Sequence, residues 1–148
     1  MDKLSYKILI RAPKEVVWKT LVESDKYDQW VKAFSPNSTC EGEWREGAEM
    51  LFWDPNMGGT HAIIEEFRPF ESIVAKHINT VTKEGVRETT GDMTEKWIGT
   101  KEVYRLVEEN GQTRLEIAIH TDMAFEKMFN DAWPMALESI KTLSEEAV

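Results

Sequence analysis

The strongest indication of the fold is the C-terminal segment MAFEKMFNDAWPMALESIKTLSEEA, residues 123–147. Its apolar residues recur at steps of three and four, which predicts one amphipathic helix with a broad apolar stripe. The stripe consists of Phe125, Met128, Phe129, Ala132, Trp133, Ala136, Leu137, Ile140 and Leu143. The side-chain oxygen of Thr121 or Asp122 is placed to cap its first turn. A stripe with this many large side chains requires an extensive apolar partner surface.

Pro134 interrupts the stripe directly after Trp133. A proline inside a helix lacks an amide donor and clashes with the carbonyl group four residues earlier, here that of Asn130. We expect one kinked helix, because the stripe keeps its phase across the proline. The alternative is two consecutive helices, with Asp131 as the cap of the second and Pro134 in its first turn.

Before residue 122 the apolar period changes to two, which is typical of β-strands. Strands are expected at 4–11, 38–45, 48–53, 60–68, 71–82, 93–108 and 112–120, the last two joined by a tight turn at Asn110-Gly111. Two short helices, at 13–23 and 24–34, follow the first strand, and Ser24 or Asp25 could cap the second. Residues 83–92 are expected to form a loop or a ragged strand. The order predicts one α+β domain, residues 1–148, in which a curved antiparallel sheet of about six to seven strands wraps around the long helix.

The composition excludes several classes of function. The 148 residues include 27 acidic and 18 basic ones, and the net charge is −9. Such a surface repels phosphate backbones and anionic lipids, so we expect neither nucleic acid binding nor membrane binding. No apolar run approaches the roughly 20 residues that span a bilayer, and the N-terminus lacks the apolar segment of a signal peptide. With Cys40 as the only cysteine, an internal disulfide is excluded, and a cytoplasmic location is expected.

Five short motifs resemble those of a known superfamily, in the same order along the chain. They are ILIRAPKEVVW (Ile8–Trp18), YDQW (Tyr27–Trp30), FRPFESI (Phe67–Ile73), TRL (Thr113–Leu115) and WPMAL (Trp133–Leu137). They resemble the START-like, Bet v 1-like superfamily, also called SRPBCC or helix-grip. Within it, they are most similar to the branch named after activators of a heat-shock ATPase. The resemblance extends over roughly residues 4 to 145.

This resemblance implies a cavity between the sheet and the long helix. Members of the superfamily use that cavity for lipids, hormones, polyketides or other apolar molecules, and some are cyclases, dehydratases or hydrolases. The cochaperone activity belongs to eukaryotic proteins with an additional domain, so it is not carried over. The closing motif also departs from the pattern, because Ala132 replaces the usual glycine and Pro134 alters the expected cavity roof.

Two histidines on separate predicted strands are candidates for acid–base chemistry or for ligand binding. His77 is expected to point inward together with Ile73 and Ala75, and His61 could also face the cavity. The alternative is an inert, hydrogen-bonded histidine at the rim of a strand. His120, at the end of the last strand, is expected to be structural.

The sequence offers little support for metal binding or for nucleophilic catalysis. The histidine spacing does not predict a metal site, and no cofactor is expected. There is no Gly-x-Ser-x-Gly elbow, and Glu41 beside Cys40 should raise the pKa of the thiol. Glu65, Glu66 and Glu102 could include an inward carboxylate, although glutamates on alternating strands usually lie on the solvated face.

The aromatic residues are the most informative group. Trp53, Trp97, Tyr104, Phe129 and Trp133 lie on the predicted strands and helix that would bound the cavity. Either they fill the core completely, or they form the walls of a pocket for a flat apolar ligand. The predicted ligand-binding set consists of these five residues with His61 and His77.

Three hypotheses for function follow. The leading one is a cytoplasmic binding protein for a small apolar molecule, with no catalytic residues. The second is an enzyme that uses the same cavity, with His77 or His61 acting together with Tyr104. The third is a protein-interaction module of the heat-shock activator type that acts through its surface; a protein partner or a homodimer is compatible with the sequence. An inward histidine within hydrogen-bond reach of a tyrosine or carboxylate would favour the enzyme.

Overall fold

The computed structural model describes all 148 residues and has the α+β helix-grip architecture that the sequence predicts. The strands are β1 (Asp2–Ile10), β2 (Thr39–Glu41), β3 (Glu49–Asp54), β4 (Gly58–Arg68), β5 (Ser72–His77), β6 (Thr80–Val81), β7 (Arg87–Glu88), β8 (Lys101–Glu109) and β9 (Gln112–Thr121). The helices are α1 (Lys14–Val22), α2 (Ser24–Trp30), α3 (Asp92–Trp97) and α4 (Glu126–Glu146). Two 3₁₀ turns, Val31–Ala33 and Met123–Phe125, precede β2 and α4.

All strands belong to one antiparallel sheet in the order β1–β9–β8–β5–β4–β3–β2. The short strand β6 pairs with β4 and with β7 beside this main path. Asn110 and Gly111 have positive φ angles of 54° and 77°, so they form the predicted tight turn between β8 and β9. A β-bulge between Ile64 and Glu66 shifts the register of β4 against β5, and such bulges bend the strand that carries them.

The sheet has nine strands, two more than the upper end of the predicted range. The two additional ones, β6 and β7, are only two residues long. The predicted strand 71–82 is divided into β5 and β6, and β7 lies in the segment 83–92 that was expected to be a loop or a ragged strand. Strands this short carry no readable period, which is why the sequence pattern does not resolve them.

The C-terminal segment forms one helix, α4, with Pro134 inside it. The prediction of a single helix is therefore correct, and two consecutive helices are excluded. Asp122 caps the 3₁₀ turn Met123–Phe125 instead, because its carboxylate accepts a hydrogen bond of 2.8 Å from the backbone N–H of Ala124, and α4 itself begins after Phe125 without a side-chain cap. Thr121 is instead the last residue of β9, and its hydroxyl lies 2.9 Å from that of Thr100.

The predicted strand 93–108 is wrong over its first part. Residues Asp92–Trp97 form the helix α3, and the strand β8 begins only at Lys101. Gly91 and Gly99 have positive φ angles of 109° and 93°, so the chain turns sharply on both sides of the helix. The carboxylate of Glu95 accepts the backbone N–H of Gly91 at 2.9 Å, which stabilises the first turn.

The helices α1 and α2 pack against α4 at one end of the sheet. The indole N–H of Trp30 donates to the carbonyl oxygen of Thr20 (3.0 Å), and the Ser144 hydroxyl donates to that of Thr20 (2.9 Å). Trp30 also stacks on Trp133 of α4, with ring centroids 5.9 Å apart.

Neither Ser24 nor Asp25 caps α2, which begins directly after Glu23 without a side-chain cap. None of the helices has the length and apolar character needed to cross a membrane.

Candidate functional site

A cavity of about 310 Å³ lies between α4, the 24–34 region and the strands β3, β4, β5 and β8. We call it the aromatic cavity, because its wall contains Tyr27, Trp30, Phe34, Trp44, Phe52, Trp53, Trp97, Tyr104, Phe129 and Trp133. Met57 and Met128 also line it and are 71% and 41% exposed, so the cavity reaches the surface beside them. The large side chains of the C-terminal stripe therefore do not fill the space completely.

The aromatic rings of the wall pack against each other at two places. Trp97 lies nearly parallel to Phe129, with centroids 6.0 Å apart and planes at 17°. Tyr104 meets Trp133 edge-to-face, at 5.7 Å and 72°. These contacts hold the rings in fixed orientations, which favours a preformed wall over a flexible one.

Gly58 shapes the edge of the aromatic cavity at the turn between β3 and β4. Its φ angle is +106°, and a Cβ atom at this position would come within 2.4 Å of the carbonyl oxygen of Val81. Only glycine therefore allows β4 to start this close to β6, with Thr60 directed inward two residues later.

Six of the seven residues in the predicted ligand-binding set line the aromatic cavity: Trp53, His77, Trp97, Tyr104, Phe129 and Trp133. Trp97 reaches it from the end of α3 rather than from a strand. The pattern missed Tyr27, Thr60 and Asp54, which also line the wall. In the sequence Tyr27 stands only as part of the YDQW motif within the predicted helix 24–34, and no sequence signal distinguishes Thr60 or Asp54 from ordinary strand and turn residues.

His61 does not line the aromatic cavity. Its neighbours Thr60 and Ala62 are buried, so the alternation of β4 turns His61 to the opposite face of the sheet. Its backbone N–H donates to the Asn79 side-chain oxygen at 2.8 Å, and its ring Nδ1 lies 3.2 Å from the Asn79 amide nitrogen. His61 is therefore withdrawn from the predicted set. His120 also lies outside the cavity lining.

His77 is only 3% exposed, points inward as the alternation predicts, and uses both ring nitrogens. Its Nε2 lies 2.6 Å from Oε1 of Glu102, and its Nδ1 lies 3.0 Å from the hydroxyl oxygen of Thr60. The same hydroxyl accepts the indole N–H of Trp97 at 2.9 Å and lies 2.9 Å from the carbonyl oxygen of Asn79. The Thr60 hydroxyl therefore has one proton and three acceptors within reach, of which the carbonyl oxygen of His61, at 3.2 Å, is the most distant.

This geometry allows two proton arrangements. If Thr60 donates to His77, the imidazole is neutral, its Nε2–H donates to Glu102, and the His77–Glu102 pair carries one negative charge. If Thr60 donates to Asn79, Nδ1 of His77 must carry a proton, and the pair holds one proton more and is neutral. The rotation of one hydroxyl group thus accompanies a change of one unit in the charge of the cavity wall.

Glu102 is the inward carboxylate among the glutamates that the sequence offered. It lies two residues before Tyr104 on β8, so both side chains share one face of the sheet and both line the cavity. Its side chain is 16% exposed, and its second oxygen, Oε2, has no hydrogen-bond partner within the protein. The neighbouring Lys101 points to the other face, where its ammonium group pairs with Glu65 at 2.9 Å.

Burial is the main cause of the pKa shifts of the two tyrosines that line the cavity. It raises the pKa of the Tyr104 phenol well above its ordinary value, and the carboxylate of Glu102 adds to the effect. Burial likewise raises the pKa of Tyr27, with contributions from Cys40 and Tyr104. Both phenols are therefore hydrogen-bond donors at neutral pH. Two buried indole N–H groups, those of Trp53 and Trp133, have no acceptor within the protein.

The arrangement of long helix, antiparallel sheet and intervening cavity is that of the helix-grip, or SRPBCC, class. Residues 11–145 match the family described as Activator of Hsp90 ATPase homolog 1-like protein. This chain belongs to that family. A comparison with curated protein sequences gave no match.

Solved structures share this fold over nearly the whole chain. Protein MLL2253 from Mesorhizobium loti is 11% identical with a TM-score of 0.78, and the alignment covers 99% of both chains. The Aha1 dimer from Colwellia psychrerythraea is 22% identical with a TM-score of 0.72, covering 98% of this chain and 97% of that one. DynU16, from the dynemicin biosynthetic locus, is 11% identical with a TM-score of 0.73, covering 99% of this chain and 48% of that one. At these identities the likeness establishes the fold alone.

Proposed function

We propose that this protein is a cytoplasmic binding protein for a small, flat, apolar molecule, which it holds in the aromatic cavity. The observation that carries this proposal is a cavity of about 310 Å³ with aromatic walls and few polar groups. Ligand pockets in proteins begin at roughly this size and have this composition. DynU16, which has the same fold and comes from a biosynthetic locus, adds support for a small-molecule role.

The polar groups suggest how such a ligand would be oriented. The indole N–H groups of Trp53 and Trp133 have no protein acceptor, and an unpaired buried donor costs about 1–3 kcal/mol. A carbonyl or ether oxygen on the ligand would remove that cost. The Tyr104 phenol is a further donor on the same wall. We therefore expect an aromatic ligand with at least one acceptor oxygen.

Native mass spectrometry of the purified protein is the first test, followed by thermal shifts with flavonoids, fatty acids, sterols and polyketide-like aromatic compounds. The matched variants are Trp133→Phe, inside the cavity, and Trp18→Phe, which changes a buried tryptophan outside it. We expect Trp133→Phe to reduce the ligand-induced shift and Trp18→Phe to leave it unchanged. Equal reduction by both variants, or neither a copurified mass nor a shift, would contradict the proposal.

A second candidate, an enzyme on the same cavity, is favoured by one observation, the hydrogen bond between His77 and Glu102. Because both ring nitrogens of His77 are engaged, the atom free to exchange a proton with a ligand is Oε2 of Glu102. His77 would then hold the Glu102 side chain in place, and the number of protons on His77 would set the net charge of the pair. If a bound compound is turned over, we expect Glu102→Gln to abolish turnover while binding persists, as measured by chromatography with mass detection. Binding without turnover favours the binding protein.

We also propose that the chain forms a homodimer, since the structurally similar protein from Colwellia psychrerythraea is a dimer. Sedimentation velocity between low and high micromolar concentrations tests this proposal. A single species with the mass of one 17.1 kDa chain throughout would contradict it.

A further inference from the structure

The charged side chains that line the aromatic cavity are acidic. No lysine or arginine side chain lines it, whereas two carboxylates do, those of Asp54 and Glu102. His77 is the only residue of the lining that can become cationic, and it is already bonded to Glu102. An anionic ligand, such as a fatty acid, would find no cation in this cavity.

The two carboxylates are not equivalent. Asp54 is 3% exposed and accepts hydrogen bonds from the hydroxyl of Ser35 and from the backbone N–H groups of Asn37 and Asn56. Its oxygens are therefore used within the protein. Oε2 of Glu102 has no such partner. Glu102 is the carboxylate that is available to a ligand.

From this combination we infer that the aromatic cavity takes an organic cation, a protonated amine or quaternary ammonium group on an aromatic or apolar body. The faces of tryptophan and tyrosine rings attract cations, most strongly where water is excluded. Glu102 supplies the negative charge in the arrangement where His77 is neutral and Thr60 donates to it. The inference rests on the proposed function and adds to it the charge class of the ligand.

The rest of the molecule is consistent with this class of ligand. The net charge of −9 raises the local concentration of cations around the protein and lowers that of anions. Trp97 packs on His77, the partner of Glu102, with ring centroids 4.8 Å apart, and Tyr104 shares the cavity face of β8 with Glu102. A cation beside Glu102 would therefore meet aromatic rings as well as the carboxylate.

Three probes of similar shape and different charge test the inference: benzyltrimethylammonium, its neutral isostere (2,2-dimethylpropyl)benzene, and phenylacetate. Binding is followed through the indole N–H signals of the ¹⁵N-labelled full chain, in which every tryptophan except Trp18 lines the cavity. We expect the cation to bind at least about tenfold more tightly than the neutral isostere, and phenylacetate not to bind.

The matched variants are Glu102→Gln and Glu84→Gln, which lower the net negative charge equally. Glu84 is exposed in the turn between β6 and β7 and lies outside the cavity lining. We expect Glu102→Gln to remove most of the preference for the cation and Glu84→Gln to keep it. Loss of the preference in both variants would assign it to the global charge and overturn the inference.

The outcomes separate this inference from the proposed function. Equal binding of the cation and the neutral isostere by the wild-type protein overturns the inference and leaves the proposed function standing. This comparison does not depend on any variant folding. If none of the three probes binds while a neutral or anionic compound from the wider panel does, the inference is again overturned. If neither the probes nor the panel bind, both proposals fall.

Discussion

Cys40 shows how a single residue is controlled by its surroundings. Burial raises the pKa of its thiol from 9.0 to about 12, and the carboxylates of Asp28 and Glu41 contribute in the same direction. The sequence predicted the effect of Glu41 from adjacency alone. Asp28 approaches only in the folded chain, where its carboxylate accepts a hydrogen bond of 2.7 Å from the Thr39 hydroxyl.

We therefore expect Cys40 to react slowly with iodoacetamide near pH 8. A pKa higher by three units leaves about a thousandfold less thiolate, and the greater nucleophilicity of the more basic thiolate recovers part of this. The net rate should be roughly 30- to 60-fold lower than that of an ordinary thiol. Intact-mass measurements against time give the rate, with the urea-unfolded chain as the control. Equal rates in the folded and unfolded chains would contradict the raised pKa of the Cys40 thiol.

At the scale of one element, α4 contains a proline on its exposed face. Pro134 cannot donate a hydrogen bond to the carbonyl oxygen of Asn130, and a proline inside a helix costs about 3 kcal/mol relative to alanine. Proline also restricts the backbone of the unfolded chain, so that less conformational entropy is lost on folding, and this offsets up to about 1 kcal/mol of the cost. The buried stripe supplies the remaining stabilisation, because Phe129, Trp133 and Ile140 remain packed on the same face.

We expect Pro134→Ala to raise the free energy of unfolding by up to about 2 kcal/mol, as measured by urea denaturation. Met135→Ala is the matched control, since Met135 is the adjacent residue and is 63% exposed. That control should lie within about 0.5 kcal/mol of the wild type. A decrease for Pro134→Ala would mean that neighbouring elements have adapted to the backbone that the proline imposes.

At the scale of the whole molecule, the free energy of unfolding depends on pH through three carboxyl groups that are hydrogen-bonded in the folded state. Glu49 is bonded to Arg87, Asp54 to Ser35, and Glu145 to Lys141, and each contact lowers the pKa of the carboxyl group. Their ordinary pKa values are 4.5, 3.8 and 4.5. The folded state therefore binds protons less readily than the unfolded chain at these groups.

The resulting contribution to stability is fully present above about pH 4.5 and is lost as the pH falls through the lower folded-state values. We expect urea midpoints to be flat from pH 7 to 5 and to fall between pH 4 and 2. Asp54→Asn should be less stable than the wild type at pH 7, with the difference shrinking below about pH 4. A difference that does not change with pH would contradict the link to ionisation.

The fold could be predicted because its main signals are local and repeated. The stripe of α4 keeps one phase through several turns, and the Asn110-Gly111 turn and the alternation of β9 can each be read within one short segment. The helix α3 could not be read in this way, because six residues do not separate a helical from a strand period. Its position depends on the backbone conformation of Gly91 and Gly99.

Sequence patterns and the resemblance of five motifs predicted the helix-grip class, the acidic character of the protein and an aromatic group on the elements that bound the cavity. Alternation along β5 also determined that His77 points inward. The contact between Glu102 and His77 could be established only from the tertiary structure, whereas the outward orientation of His61 follows from the alternation of β4. That contact requires the register between β5 and β8, which is a relation between distant segments. Periodicity within one segment contains no information about such a relation between strands.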